Sequence, residues 1–202
     1  MKLTSLRLIG TDRLRTNMDL KNYEEISKTL VKIRVSEVSS AVFALHSLDE
    51  LFELSLQTDD KQIAFRAAWI IETVFLKEPN YFTKHTEHVI DAYIKTENWS
   101  CLRSYTKLIM WILSPKNKFT IPENDQRKVI LEKTFTSLLN LNCPIAVKVN
   151  CFDILFYLKN DEDWIQEELT AQLQLCISQS PTPAIKSRGN RVLNKLKRIT
   201  NA

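Results

Sequence analysis

Ala64-Phe65-Arg66-Ala67-Ala68-Trp69-Ile70 is the stretch on which the fold turns. Ile63, Ala67, Ile70, Ile71 and Val74 recur at spacings of three and four, which places them on one face of a helix. The small side chains of Ala64, Ala67 and Ala68 let a second helix approach closely. Three later stretches repeat the arrangement: Cys101-Leu102-Arg103-Ser104-Tyr105-Thr106-Lys107, Ala146-Val147-Lys148-Val149-Asn150-Cys151-Phe152 and Lys186-Ser187-Arg188-Gly189-Asn190-Arg191-Val192. A basic residue stands early in each, at Arg66, Arg103, Lys148 and Arg188. The intervals are 37, 45 and 40 residues, and the longest contains an insertion across Pro115–Pro122.

Outward from these stretches, the helix boundaries are written in capping chemistry. Ser47-Leu48-Asp49-Glu50 forms a capping box and predicts a helix to about Gln57. Asp59 or Asp60 caps the next, which runs to about Lys77 and stops before Pro79. Further helices are expected over Tyr81–Lys95, from Asn98 to Leu113, and over Glu123–Asn140. Three more are expected from Asn142 with Pro144 to Lys159, from Asp161 or Asp163 to Ser178, and from Thr182 with Pro183 to Arg198. Upstream, Asp19–Arg34 and Glu37–Leu45 read as a less regular first pair. The connections are short, so neighbours run antiparallel, as hairpins. A hairpin of this kind cannot bury both faces of its helices alone, and successive hairpins must stack.

Composition supports the same class. The 202 residues contain two glycines, Gly10 and Gly189, against the roughly fourteen expected at average usage of about 7%. Glycine-rich phosphate loops, dinucleotide fingerprints and an all-β fold are therefore excluded. No apolar run reaches the ~18 residues of a membrane span, and residues 1–17 lack the apolar core of a secretory signal. The reading is a lead-in over 1–18, a single helical-repeat domain over 19–202, and a cytoplasmic location. Cys101, Cys143, Cys151 and Cys176 form no CxxC pair and read as buried reduced thiols.

Repeats of 40–47 residues built from helix pairs have the HEAT and armadillo period. Phe65-Arg66-Ala67-Ala68-Trp69, Ile145-Ala146-Val147-Lys148-Val149 and Lys186-Ser187-Arg188-Gly189 resemble second helices of such repeats, and the chain from about 47 to 199 is similar to small bacterial HEAT-like proteins. The resemblance implies an all-α, right-handed superhelix of four to five hairpins, with residues upstream of 47 as a departing, capping unit.

Function is less legible. The net charge is +4, distributed as +3 over 1–46, −5 over 47–100, zero over 101–168 and +6 over 169–202. Arg66, Arg103, Lys148 and Arg188 are candidate anchors for a protein segment on the concave face, with Trp69 and Tyr105 as apolar contacts. The competing reading is a structural ladder in which Glu72, Asp153, Glu132 and Glu167 neutralise the cations. Nucleic-acid binding is the second functional reading, weakened by the acidic middle. His85 and His88, with Asp91 a turn on, lack a third histidine for a metal. Trp99 and Trp164 follow helix starts and read as staples. The carboxylates at 161–163 and 167–168 suit a helix N-terminus. No nucleophile–base motif, cofactor, metal or small-molecule substrate is expected, and the chain reads as a non-enzyme.

Overall fold

The computed structural model describes residues 20–34, 42, 46–118, 122–179 and 181–200. The lead-in over 1–18, and nearly all of the helix expected over 37–45, lie outside them. Among the described residues there are nine α-helices and no strand. They are α1 (Leu20–Lys32), α2 (Leu48–Ser55), α3 (Lys61–Lys77), α4 (Phe82–Lys95), α5 (Trp99–Ile112), α6 (Asn124–Leu139), α7 (Ile145–Leu158), α8 (Ile165–Gln179) and α9 (Pro183–Thr200).

The helices pair as α2/α3, α4/α5, α6/α7 and α8/α9, and the pairs stack into an all-α solenoid. The second helices form a continuous row in which α3 packs on α5, α5 on α7 and α7 on α9, and α1 packs against α3. First helices contact one another in sequence from α2 to α4 to α6. The molecule is thus two parallel rows with one apolar core between them.

The predicted caps explain where the helices begin. Ser47 and Glu50 close a reciprocal capping box on α2. Asp60 accepts from the backbone N–H groups of Gln62 and Ile63, each at 3.0 Å, and Asn98 accepts from that of Ser100 at 3.0 Å. Pro79 stops α3 and opens a single 3-10 turn, Pro79–Tyr81, that leads into α4. The start of α7 differs from expectation. Asn142 does not cap it; its backbone N–H donates to the Asn140 side chain at 2.8 Å, and Pro144 occupies the cap position. Proline holds the residue before it extended, which delays the helix to Ile145.

The core runs unbroken from α1 to α9 and includes Leu30, Leu54, Ile70, Phe75, Leu108, Phe152, Leu155 and Leu173, all fully buried or nearly so. Burial of each such side chain stabilises by about 1.5–3 kcal/mol. A typical hydrogen bond contributes about 1 kcal/mol net, so the core decides stability and polar contacts decide register. Trp111 stacks on Phe82 at 4.1 Å between ring centroids, joining α5 to α4. Trp99 is partly buried against the core. Trp164 does not staple its own helix: it is about half exposed and lies 5.2 Å from Phe135 of α6.

Candidate functional site

The residues singled out by the repeat all lie on the second-helix row, but they do different things there. Arg66 on α3 sends Nη2 to the carbonyl oxygen of Val31 at the end of α1, 3.0 Å away, and its guanidinium lies over the Trp69 ring at 5.6 Å. Arg188 on α9 donates to Asp153 on α7, and Arg191 donates to both carboxylate oxygens of Asp153 at 2.7 and 2.9 Å. Asp153 is buried, and two guanidiniums stand where water would otherwise meet its carboxylate.

Arg103 is exposed and, among the described residues, makes no ion pair. The ladder role expected of it falls one turn later, to Lys107, which donates to the buried Glu72 of α3. Glu132 and Glu167 take no part in an ion pair among the described residues; both are exposed. Lys148 is half-buried beside two thiols. Burial pushes the Cys143 thiol up to about 11 and raises that of Cys176, and the Lys148 charge pulls both back down. All four cysteines are unpaired, and burial raises the Cys101 thiol to about 12.

Tyr105 is a correction. The side chain is fully buried and its hydroxyl is hydrogen-bonded to Ser55, tying α5 to α2. It offers no surface to a partner. The apolar spacing that suggested a contact was the core-facing side of α5.

Sequence reading missed a second periodicity. Arg66 to Val31, Lys107 to Glu72 and Arg188 to Asp153 are each 35 residues apart. Every junction in the row holds such a polar link. At α5–α7 it is neutral: Asn150 Nδ2 donates to Thr106 Oγ1 at 2.9 Å, over a separation of 44. The separation exceeds 35 because the chain between Thr106 and Asn150 contains the insertion across Pro115–Pro122. A search for cation–carboxylate pairs at one fixed separation finds Lys107 and Glu72; alignment of basic residues alone does not.

Elsewhere, His85 and His88 lie with ring centroids 5.6 Å apart, and His88 stacks on Phe52. No group of three His, Cys, Asp or Glu side chains among the described residues is placed to hold a metal ion. Burial lowers the His85 and His46 pKa values below the usual imidazole range, and His85 Nδ1 and His46 Nε2 have no hydrogen-bond partner among the described residues. An open depression of about 340 Å3 between α8 and α9 is lined by Gln166, Glu167, Thr170, Ala171, Gln174 and Leu196, a set with one carboxylate and no nucleophile–base pair. No helix among the described residues is long and apolar enough to cross a membrane.

The description of the HEAT repeat domain family matches residues 22–196. The match takes in α1, so the repeat region begins upstream of the expected start at 47. No curated protein and no solved structure matches the chain.

Proposed function

The chain belongs to the HEAT repeat domain family, and on that premise we propose that it is a non-catalytic interaction module that binds a protein segment along the face of its second-helix row. One observation carries the reading. The polar groups needed to hold the row together are satisfied by one another, whereas Arg103 is exposed and, among the described residues, makes no ion pair. Partly buried Met110 lies two turns along its helix, and Trp69 with Arg66 occupies the neighbouring helix. Cations beside half-buried apolar surface are the composition of a protein-binding patch. Arg66, Arg103, Lys148, Arg188 and Trp69 remain the anchors of this proposal.

Lysine-specific crosslinking to a captured native partner tests the reading. Crosslinks are expected at Lys107, Lys148 and Lys195, and Arg103→Glu is expected to weaken capture by about tenfold. Crosslinks confined to Lys84, Lys95 and Lys128 on the first-helix row, or capture untouched by Arg103→Glu, would sink it. Nucleic acid along the same face is the second reading, favoured by the six cations of α9. Steeply salt-dependent binding to duplex DNA would select it.

A further inference from the structure

Charge is sorted between the two rows. The four second helices carry twelve Lys and Arg: three on α3, two on α5, one on α7 and six on α9. They carry two carboxylates, Glu72 and Asp153, and both are buried in ion pairs. The four first helices carry five cations and nine carboxylates. The net charges are +10 and −4. Summed along the chain this is invisible, because residues 47–100 mix both rows, and the net acidity of that segment belongs to α2 and the turns.

At the C-terminal junction the excess is concentrated. The ammonium groups of Lys159 and Lys195 lie 5.1 and 5.2 Å from the same Phe156 ring centroid. Between α7 and α9, Arg188 and Arg191 share the single charge of Asp153. Four cations with one carboxylate among them leave an excess of positive charge, and an anion laid across them offsets it.

We infer that the second-helix row recognises an acidic, extended protein segment, one that alternates Asp or Glu with apolar side chains. This rests on the reading of that row as the interaction face. Helix axes pack at about 8–10 Å, so four second helices span about 30 Å, the reach of about nine extended residues. Carboxylates are what this face already binds: Arg191 meets Asp153 through both oxygens, and Lys107 meets Glu72. The half-buried Trp69, Met110 and Phe156 between the cations suit apolar side chains of the same segment. A duplex fits less well. Its phosphates surround it, and exposed Asp59, Glu78 and Glu97 border the ends of α3 and the start of α5.

The test uses the full chain and fluorescence anisotropy with three labelled probes: an alternating Glu-Leu peptide, its Gln-Leu counterpart, and a single-stranded oligonucleotide of similar reach. The Glu-Leu peptide is expected to bind at least about tenfold more tightly than the Gln-Leu peptide, and less tightly as salt rises. The double variant Arg103→Glu/Lys195→Glu should lose at least about tenfold, and Lys84→Glu/Lys128→Glu on the other row should lose little. Circular dichroism of each variant confirms that the fold is intact. Failure of the Glu-Leu peptide to bind, or equal losses in the two double variants, overturns the inference. Equal binding of the two peptides overturns the acidic preference and leaves the protein-binding reading standing. Tighter binding of the oligonucleotide overturns both.

Discussion

Gly189 shows how little room a junction leaves. It is buried in α9, and a Cβ there would lie 3.0 Å from Ile177 Cδ1 and 3.2 Å from Ile177 Cγ1 on α8. Its backbone has no positive φ, so what limits the side chain here is contact rather than conformation. Alanine gains about 1 kcal/mol of helix propensity and asks only that the end of the Ile177 side chain move, so Gly189→Ala should be close to neutral. Gly189→Leu has no such escape. It should destabilise by about 1–3 kcal/mol and lower Tm by several degrees in thermal unfolding followed by circular dichroism. An unchanged Tm would mean that α8 and α9 separate without cost. The sequence marks this position, since Gly189 stands next to Arg188 inside the repeated stretch, but the identity of the opposing side chain comes from α8 and is not a local property.

At the scale of elements, α7 is the keystone of the second-helix row. It contacts α5, α6, α8 and α9, and its two buried polar residues face opposite neighbours: Asn150 toward α5 and Asp153 toward α9. Asp153→Asn keeps the volume but removes the charge that two guanidiniums share, and turns an amide N–H group toward one of them. Arg188 and Arg191 are partly exposed, and water screens the loss. A destabilisation of about 1–2 kcal/mol is expected, as a lower urea midpoint with an unchanged slope. The exposed Lys95–Asp91 pair on α4 provides the contrast: its removal should change the midpoint little. Helix ends at Ser47, Asp60 and Asn98 were legible in the sequence because capping is decided within four residues. The start of α7 was not, because Asn142 and Pro144 compete for the cap and the outcome depends on Asn140.

For the whole molecule, stability is a sum of neighbour contacts, and protection should follow the number of sides on which a helix is packed. Amide hydrogen exchange is expected to be slowest in α7, which packs on four helices, and fastest in α1, which packs on α3. Fastest exchange in α7 would contradict the two-row architecture. The solenoid itself was readable from the repeat of small-apolar and basic positions, because stacking imposes the same requirement on every hairpin. The candidate site was readable only in part. Arg66 and Arg188 were identified, but whether a cation is spent on its neighbour or left to solvent is settled by a residue 35 positions away. The role given to Tyr105 failed for a related reason: one helix face cannot be told from the other until the rows are placed.

Sorting the charges between rows also gives the molecule an electric direction. A body positive on one side and negative on the other turns in an external field, as a compass needle does. Approaching a negatively charged partner, it rotates before contact so that the second helices lead. Encounters with the proposed acidic segment would therefore begin already oriented. This benefit is kinetic: it fades as salt shortens the range of the field, and it leaves the stability of the fold untouched.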